Sequence, residues 1–259
     1  MRSVNLVLRW VLLGVLLMAR GLPDAGNVVK EHGLVSLDDM AELAVRLGSP
    51  VRYHRGGDVV FIDGFEFGLQ RWELSLFAPD SSITLRSDRS LTGGVSVDCD
   101  SGVGAPRTCK MVAYTAPLVS DLLGVHWAFS IGVVSESIHF DFIMYGENTQ
   151  VIFRVIYDKP TGMLQIRDHD GNPQDVGSVG ELTANNYYYH HIKMVVNQET
   201  DSYVRIVLDN VNYDVSMFKG ERIAPPSSPR VDIAVRLEGN ALEHTEVWID
   251  DVVVTMNEQ

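Results

Sequence analysis

From Asp58 onward the chain alternates. Short runs in which every second side chain is apolar are separated by clusters of Gly, Pro, Asn and Asp. In Thr149 to Asp158, for example, Val151, Phe153, Val155 and Tyr157 point one way and Ile152, Arg154, Ile156 and Asp158 the other, the two-residue period of a sheet. Such runs predict strands over Asp58 to Asp63, Trp72 to Phe77, Ser82 to Arg86, Val95 to Cys99, Thr108 to Thr115, His126 to Val134 and Ile138 to Tyr145. They continue over Thr149 to Asp158, Met163 to Asp168, Tyr188 to Asn197, Tyr203 to Leu208, Val211 to Asp214, Arg230 to Leu237 and Glu246 to Thr255. The connectors Gly146-Glu147-Asn148, Lys159 to Gly162, Asp170 to Pro173 and Asp209-Asn210 hold the residue types that tight reversals need. Dense turns with almost no helix predict antiparallel pairing, because parallel strands need long crossovers. The expectation is an all-β fold, an antiparallel β-sandwich whose closing strand pairs near the opening one.

Ahead of Asp58 the periodicity changes. Ser36 to Leu47 predicts the one short helix: Ser36 caps it, Asp38 and Asp39 sit in the first turn, and Gly48 stops it. Leu37, Met40, Ala41, Ala44 and Leu47 form an apolar stripe at helical spacing. A solitary helix of this length is marginal in water, so the stripe must rest on the sandwich or on a neighbouring subunit. Val4 to Met18 is nearly all apolar, follows Arg2 and is broken by Arg9, which leaves it short of the ~20 apolar residues of a membrane span. It reads as a signal or anchor segment, as residues preceding a true start at Met18, or as a buried helix. The chain thus divides into a leader (1–20), an N-terminal arm carrying the helix (21–56) and the sandwich (57–259).

Charge narrows the partners. Lys plus Arg number 21 against 34 Asp plus Glu, for a net charge of -13. The basic residues are scattered singly, which argues against a phosphate-tracking groove and so against nucleic acid. Cys99 and Cys109 flank a Gly/Ser/Pro-rich stretch that reads as a hairpin loop, where an oxidising compartment would bridge them and a cytosol would leave two thiols.

Three stretches carry a family resemblance. FIDGFEFGLQRW, HHIKMVVNQETDSYVRIVLDNVNYDVS and AVRLEGNALEHTEVWIDDVVVT together resemble the concanavalin-like and carbohydrate-binding-module jelly rolls over roughly Asp58 to Thr255. The front end, RGLPDAG followed by AELAVRLGSPVRY and GDVVFIDGFE, is similar to uncharacterised tailed-phage and prophage virion structural proteins, in which an arm precedes such a jelly roll. The first resemblance implies a structural calcium tying the first strand to the last, with Glu66 and Asp251 at the matching positions and Asp63 and Asp250 beside them. Carboxylates and loop carbonyls at a strand junction are the hard oxygens calcium prefers. The alternative is that these acids face water or cap turns.

Catalytic motifs are missing. The sequence contains no Glu-x-Asp-x-x-Glu strand, no Gly-x-Ser-x-Gly elbow, no phosphate-cradling glycine loop and no zinc-like Cys/His grouping. Asp168 to Asn172 imitates a calcium loop, but its glycine is misplaced and a hairpin tip fits better. His190 shares the inward face with Ile192 and Met194, whereas Tyr187 and Tyr189 alternate outward with His191 and Lys193. These two tyrosines are the candidate sugar platform, with edge packing as the alternative. The expectation is a non-enzymatic virion structural protein, a head decoration or tail component with a jelly roll of this type. Its partners would be other virion subunits reached through the arm and helix, a polysaccharide and a second copy of itself. The rival is a secreted carbohydrate-binding module.

Overall fold

The computed structural model describes residues 57–258 except 104–107, 134–135, 147–148, 185–187, 225–227 and 241–242. The expected leader, arm and helix lie outside the described residues, as does Tyr187. The alternating runs fold into two antiparallel sheets. Sheet A is ordered β13 (Val211–Asp214), β12 (Ser202–Leu208), β11 (Tyr189–Asn197), β6 (Leu122–Val133), β16 (Glu246–Met256), β4 (Ser96–Asp100), β3 (Ser82–Arg86), with β1 (Asp58–Asp63) also paired to β16. Sheet B is ordered β10 (Pro173–Ser178), β9 (Met163–Arg167), β8 (Gln150–Asp158), β7 (Ser137–Tyr145), β15 (Arg230–Glu238), β5 (Thr108–Thr115), β2 (Trp72–Leu76), with β14 (Glu221–Ile223) on β8. The protein is an antiparallel β-sandwich.

Large rings fill the space between the sheets. Trp127 and Phe129 of β6 meet Phe140 of β7 at centroid distances of 5.3 and 5.0 Å, and Phe153 of β8 meets Tyr203 of β12 edge-on at 5.1 Å. Tilted and edge-on contacts place the positive ring edge against a negative face, which favours this geometry. Tyr203 is buried, yet its hydroxyl is satisfied: it accepts from the Arg154 amide at 2.9 Å and donates to the Arg167 carbonyl at 2.9 Å. A sheet A side chain therefore clips two sheet B strands.

The closing strand is the axis of sheet A. One edge of β16 runs along β6 from Glu246 opposite Val133 to Met256 opposite Leu123. The other edge is shared, with β4 beside Glu246 to Ile249 and β1 beside Val252 to Met256. At the handover the β6 register slips between Asp250 and Val253, and Asp251 takes a left-handed φ of 45°. An extra residue in a strand bends it and re-aims its side chains, and here it turns two adjacent aspartates toward the loop before β4.

Cys99 and Cys109 do not share a hairpin. Cys99 lies on β4 in sheet A and Cys109 on β5 in sheet B, so the two cysteines lie in different sheets as buried free thiols. Cys99 lies with its Sγ 3.6 Å from the Met111 Sδ. Burial raises both thiol pKa values, that of Cys109 to about 12.

Candidate functional site

The resemblance pointed first to the acidic junction of β1 and β16, and the residues named there do come together. The Asp63 carboxylate accepts from the Phe65 amide at 2.9 Å and the Trp72 indole at 3.1 Å, which closes the turn after β1 and seats Trp72 against Phe65. Asp250 Oδ2 accepts from the Leu91 and Thr92 amides at 2.7 and 3.3 Å, and its Oδ1 accepts from the Asp251 amide at 2.8 Å. The Thr92 hydroxyl donates to Asp251 Oδ1 at 2.8 Å, while Glu66 Oε1 accepts from the Gly94 and Val95 amides at 2.6 and 3.2 Å. Four carboxylates thus pin the turn after β1 and the loop that leads into β4.

As a calcium site these residues do not fit. Calcium takes six to eight oxygens converging on one point, and among the described residues no group of three or more His, Cys, Asp or Glu could hold a metal ion. Asp63 faces two protein donors, and the oxygens of Asp250 are committed to three amides. Asp251 Oδ2 alone is buried without a hydrogen-bond partner. The electrostatic cost of this arrangement is visible. Burial, then the neighbouring Asp251 charge, pushes the Asp250 pKa to about 7, and burial followed by the Glu66 charge pushes that of Asp251 to about 6.

The tyrosine cluster builds a more open site. Tyr189 alternates to the outer side of sheet A with His191 and Lys193, yet it is only 8% exposed. The 87–95 loop accounts for this: Leu91 packs on the Tyr189, Ala128 and Trp248 cluster, the Tyr189 hydroxyl donates to the Arg89 carbonyl at 3.3 Å, and the Arg89 guanidinium lies 3.9 Å above the Trp248 ring. Lys193 is covered in its turn by Glu258, 2.6 Å from its ammonium. The exposed ring is Tyr188, at 48%.

Tyr188, Tyr189, His191, Asp209 and Asn210 line a cleft of about 110 Å³ where the start of β11 meets the β12–β13 turn. The turn is fixed from two sides. The Asp209 amide donates to the His191 carbonyl at 2.7 Å, and Asp209 Oδ1 accepts from the His191 amide at 2.8 Å. His190 Nδ1 lies 2.9 Å from Asp209 Oδ2, its Nε2 lies 3.3 Å from the Thr183 carbonyl, and Tyr188 meets the same imidazole edge-on at 4.8 Å. Burial works against the Asp209 carboxylate, but the His190 and His191 hydrogen bonds hold its pKa below the ordinary 3.8. The cleft therefore presents an ionised, positioned acceptor, an adjacent side-chain amide and an aromatic ring. Sequence reasoning missed Tyr188 and Asp209-Asn210 as site residues, the latter because a turn is a sufficient reason for an Asp-Asn pair.

Comparison with known proteins agrees with this architecture. The sequence matches no protein-family profile and no curated protein. Among solved structures it is similar to a sialidase, with a TM-score of 0.51 and 12% identity over 78% of this chain and 19% of the sialidase. It thus spans about a fifth of that chain's length. The likeness supports the β-sandwich fold. Weaker similarities run to a carbohydrate esterase of the Shiga toxin-encoding bacteriophage phi24B (TM-score 0.47, 16% identity, 78% of this chain and 100% of that one) and to lectin I-B4 of Griffonia simplicifolia (TM-score 0.43, 6% identity, 76% and 99%). At such identities the likeness extends to the fold alone.

Proposed function

We propose that this β-sandwich is a non-enzymatic carbohydrate-binding protein whose ligand site is the Tyr188, His191, Asp209 and Asn210 cleft. The observation that carries the reading is the exposed Tyr188 ring standing beside an Asp209 carboxylate already oriented by two hydrogen bonds. Sugars offer an apolar face of C–H groups and a rim of hydroxyls. A site for them needs a ring to lie against the first and planar acceptors and donors for the second. Binding without hydrolysis fits the cleft's single carboxylate, since glycoside hydrolysis uses two across the scissile bond. The cleft is small, which suits one terminal sugar unit.

The test is a glycan array followed by calorimetry on the full chain. Tyr188→Ala and Asn210→Ala should each weaken binding about tenfold, the cost of truncating a central contact, ~1.4 kcal/mol. Neither should change the melting temperature, because both side chains are exposed. A chain that binds no glycan, or whose affinity ignores both substitutions, overturns the reading.

A virion setting is the second part of the proposal, favoured by the resemblance of RGLPDAG and AELAVRLGSPVRY to phage structural proteins. The arm and helix would dock on neighbouring subunits and the sandwich would carry the glycan site outward. Light scattering compares the full chain with one starting at Gly57. Multimers of the former that the latter does not form support the docking role, and identical masses refute it.

A further inference from the structure

The outer face of sheet B carries a different chemistry. Met111, Val235, Phe140, Val155 and Ile166 point into the core, so the alternate residues Lys110, Arg236, His139, Arg154 and Arg167 point away from it. Lys110 of β5 and Arg236 of β15 are register partners, directly opposite across the ladder. Like charges so placed are destabilising at a strand spacing of ~4.8 Å. Lys110 forms no ion pair among the described residues. Arg236 is held in place by other means: its Nη2 donates to His139 Nδ1 at 2.9 Å and lies 3.1 Å from Glu238 Oε1. One strand further, Arg154 makes a two-pronged pair with Asp141 at 2.6 and 2.8 Å.

Two further guanidinium donors lie buried beneath this face. Arg236 Nε and Arg167 Nε are buried and have no hydrogen-bond partner. Burial, then the nearby Arg154 charge, lowers the Arg236 pKa, and Arg167 lowers it further. Asp141, Glu238 and, from the β14 side, Glu221 offset part of the positive charge. What remains is a crowded, preset guanidinium and ammonium group in a chain whose net charge is -13. Such crowding costs stability unless an anion relieves it, which is the pattern of a site kept for a ligand.

We propose that this face, centred on the Lys110 and Arg236 pair with Arg154 and Arg167 beside it, binds an acidic glycan through its carboxylate or sulfate groups. A guanidinium locked flat by one carboxylate keeps its remaining N–H groups free for another anion, which suits a periodic polymer of planar acid groups. Interleaved Asp141 and Glu238 make a nucleic-acid backbone, with its dense phosphates, a poor alternative. This face shares no residue with the Tyr188 cleft, and the inference stands whether or not that cleft binds sugar.

The experiment uses the full chain at low salt with polygalacturonate, chondroitin sulfate, a neutral β-glucan and a single-stranded oligonucleotide, followed by calorimetry. Binding of polygalacturonate or chondroitin sulfate is expected, and the stronger of the two tells carboxylate from sulfate recognition. Lys110→Met and Arg236→Gln should each weaken it about tenfold, while Tyr188→Ala leaves it unchanged. Lys110→Met should also leave the free protein's melting temperature unchanged or higher, since it removes a repulsion. Absence of acidic-glycan binding, indifference to both substitutions, or equal affinity for the oligonucleotide overturns the proposal.

Discussion

Asp251 combines a left-handed backbone, a carboxyl oxygen without a partner and a raised pKa of about 6. Asparagine tolerates that backbone region better than most residues, and it would carry no charge next to Asp250. Asp251→Asn is therefore expected to stabilise the protein at pH 8, by about 1 kcal/mol or ~2–4 °C in melting temperature. The pH dependence has a definite sign. A carboxyl whose folded pKa exceeds its unfolded value stabilises the fold when protonated, fully below about 3.8 and no longer once pH passes the folded pKa. With Asp98 and Asp251 at about 6 and Asp250 at about 7, the wild-type protein should lose stability as pH rises from about 4 to 7. In Asp251→Asn that slope should be shallower. Thermal melts across this range check both statements, and a steeper slope in the variant would refute them. Because the junction carboxylates already face protein donors, millimolar calcium or a chelator should leave the melting temperature where it is.

At the scale of elements, the end of β16 is tied down by one buried acid. Glu258 meets Lys193 of β11 at 2.6 Å and Arg205 of β12 at 3.3 Å, and the Thr255 hydroxyl also donates to it. Gly124 of β6 makes room, since a Cβ there would sit 2.5 Å from both Glu258 Oε1 and Thr255 Oγ1. Burial lowers the Lys193 pKa and Glu258 works against that shift. Glu258→Gln would strand the ammonium, with an expected loss of about 3–5 kcal/mol. Urea denaturation should show a lower midpoint at an unchanged slope. Most of these strands were legible from alternation alone, because one buried face imposes a strict two-residue period. The two that were not have clear reasons. Residues Pro173–Ser178 of β10 form a polar edge strand beginning at proline, and Glu221–Ile223 of β14 is only 3 residues long. Neither buries enough apolar surface to leave a pattern.

For the whole molecule, alternation told which side of a sheet a residue occupies but not what lies over that side. Tyr189 and Lys193 face out of sheet A and are buried all the same, because residues far along the chain, Leu91 and Glu258, cover them. The acid junction was legible as a set of residues but not in its bonding, since the amides of Leu91 and Thr92 that satisfy Asp250 are 159 and 158 positions away. The sheet B cations were invisible for the same reason: Lys110 and Arg236 become neighbours only through β-pairing. Long-range closure also has a measurable signature. Cys99 and Cys109 lie in the core on opposite sheets, with thiol pKa values raised by burial. Both should be inert to thiol reagents in the native state and react together as urea opens the sandwich. Labelling of one well before the other would point to a locally opening edge instead.

Asp58 and Met256 are register partners across β1 and β16, ~5 Å apart. The described chain therefore enters and leaves at a single corner of sheet A, and the sandwich can be treated as a ring that happens to be cut there. A short linker from residue 258 back to residue 57, with a new break between Pro160 and Thr161 in the exposed β8–β9 turn, should give a permuted protein that keeps every strand pairing. Cargo fused at the relocated ends would then leave from the β8–β9 turn of sheet B instead of from the corner shared by residues 57 and 258.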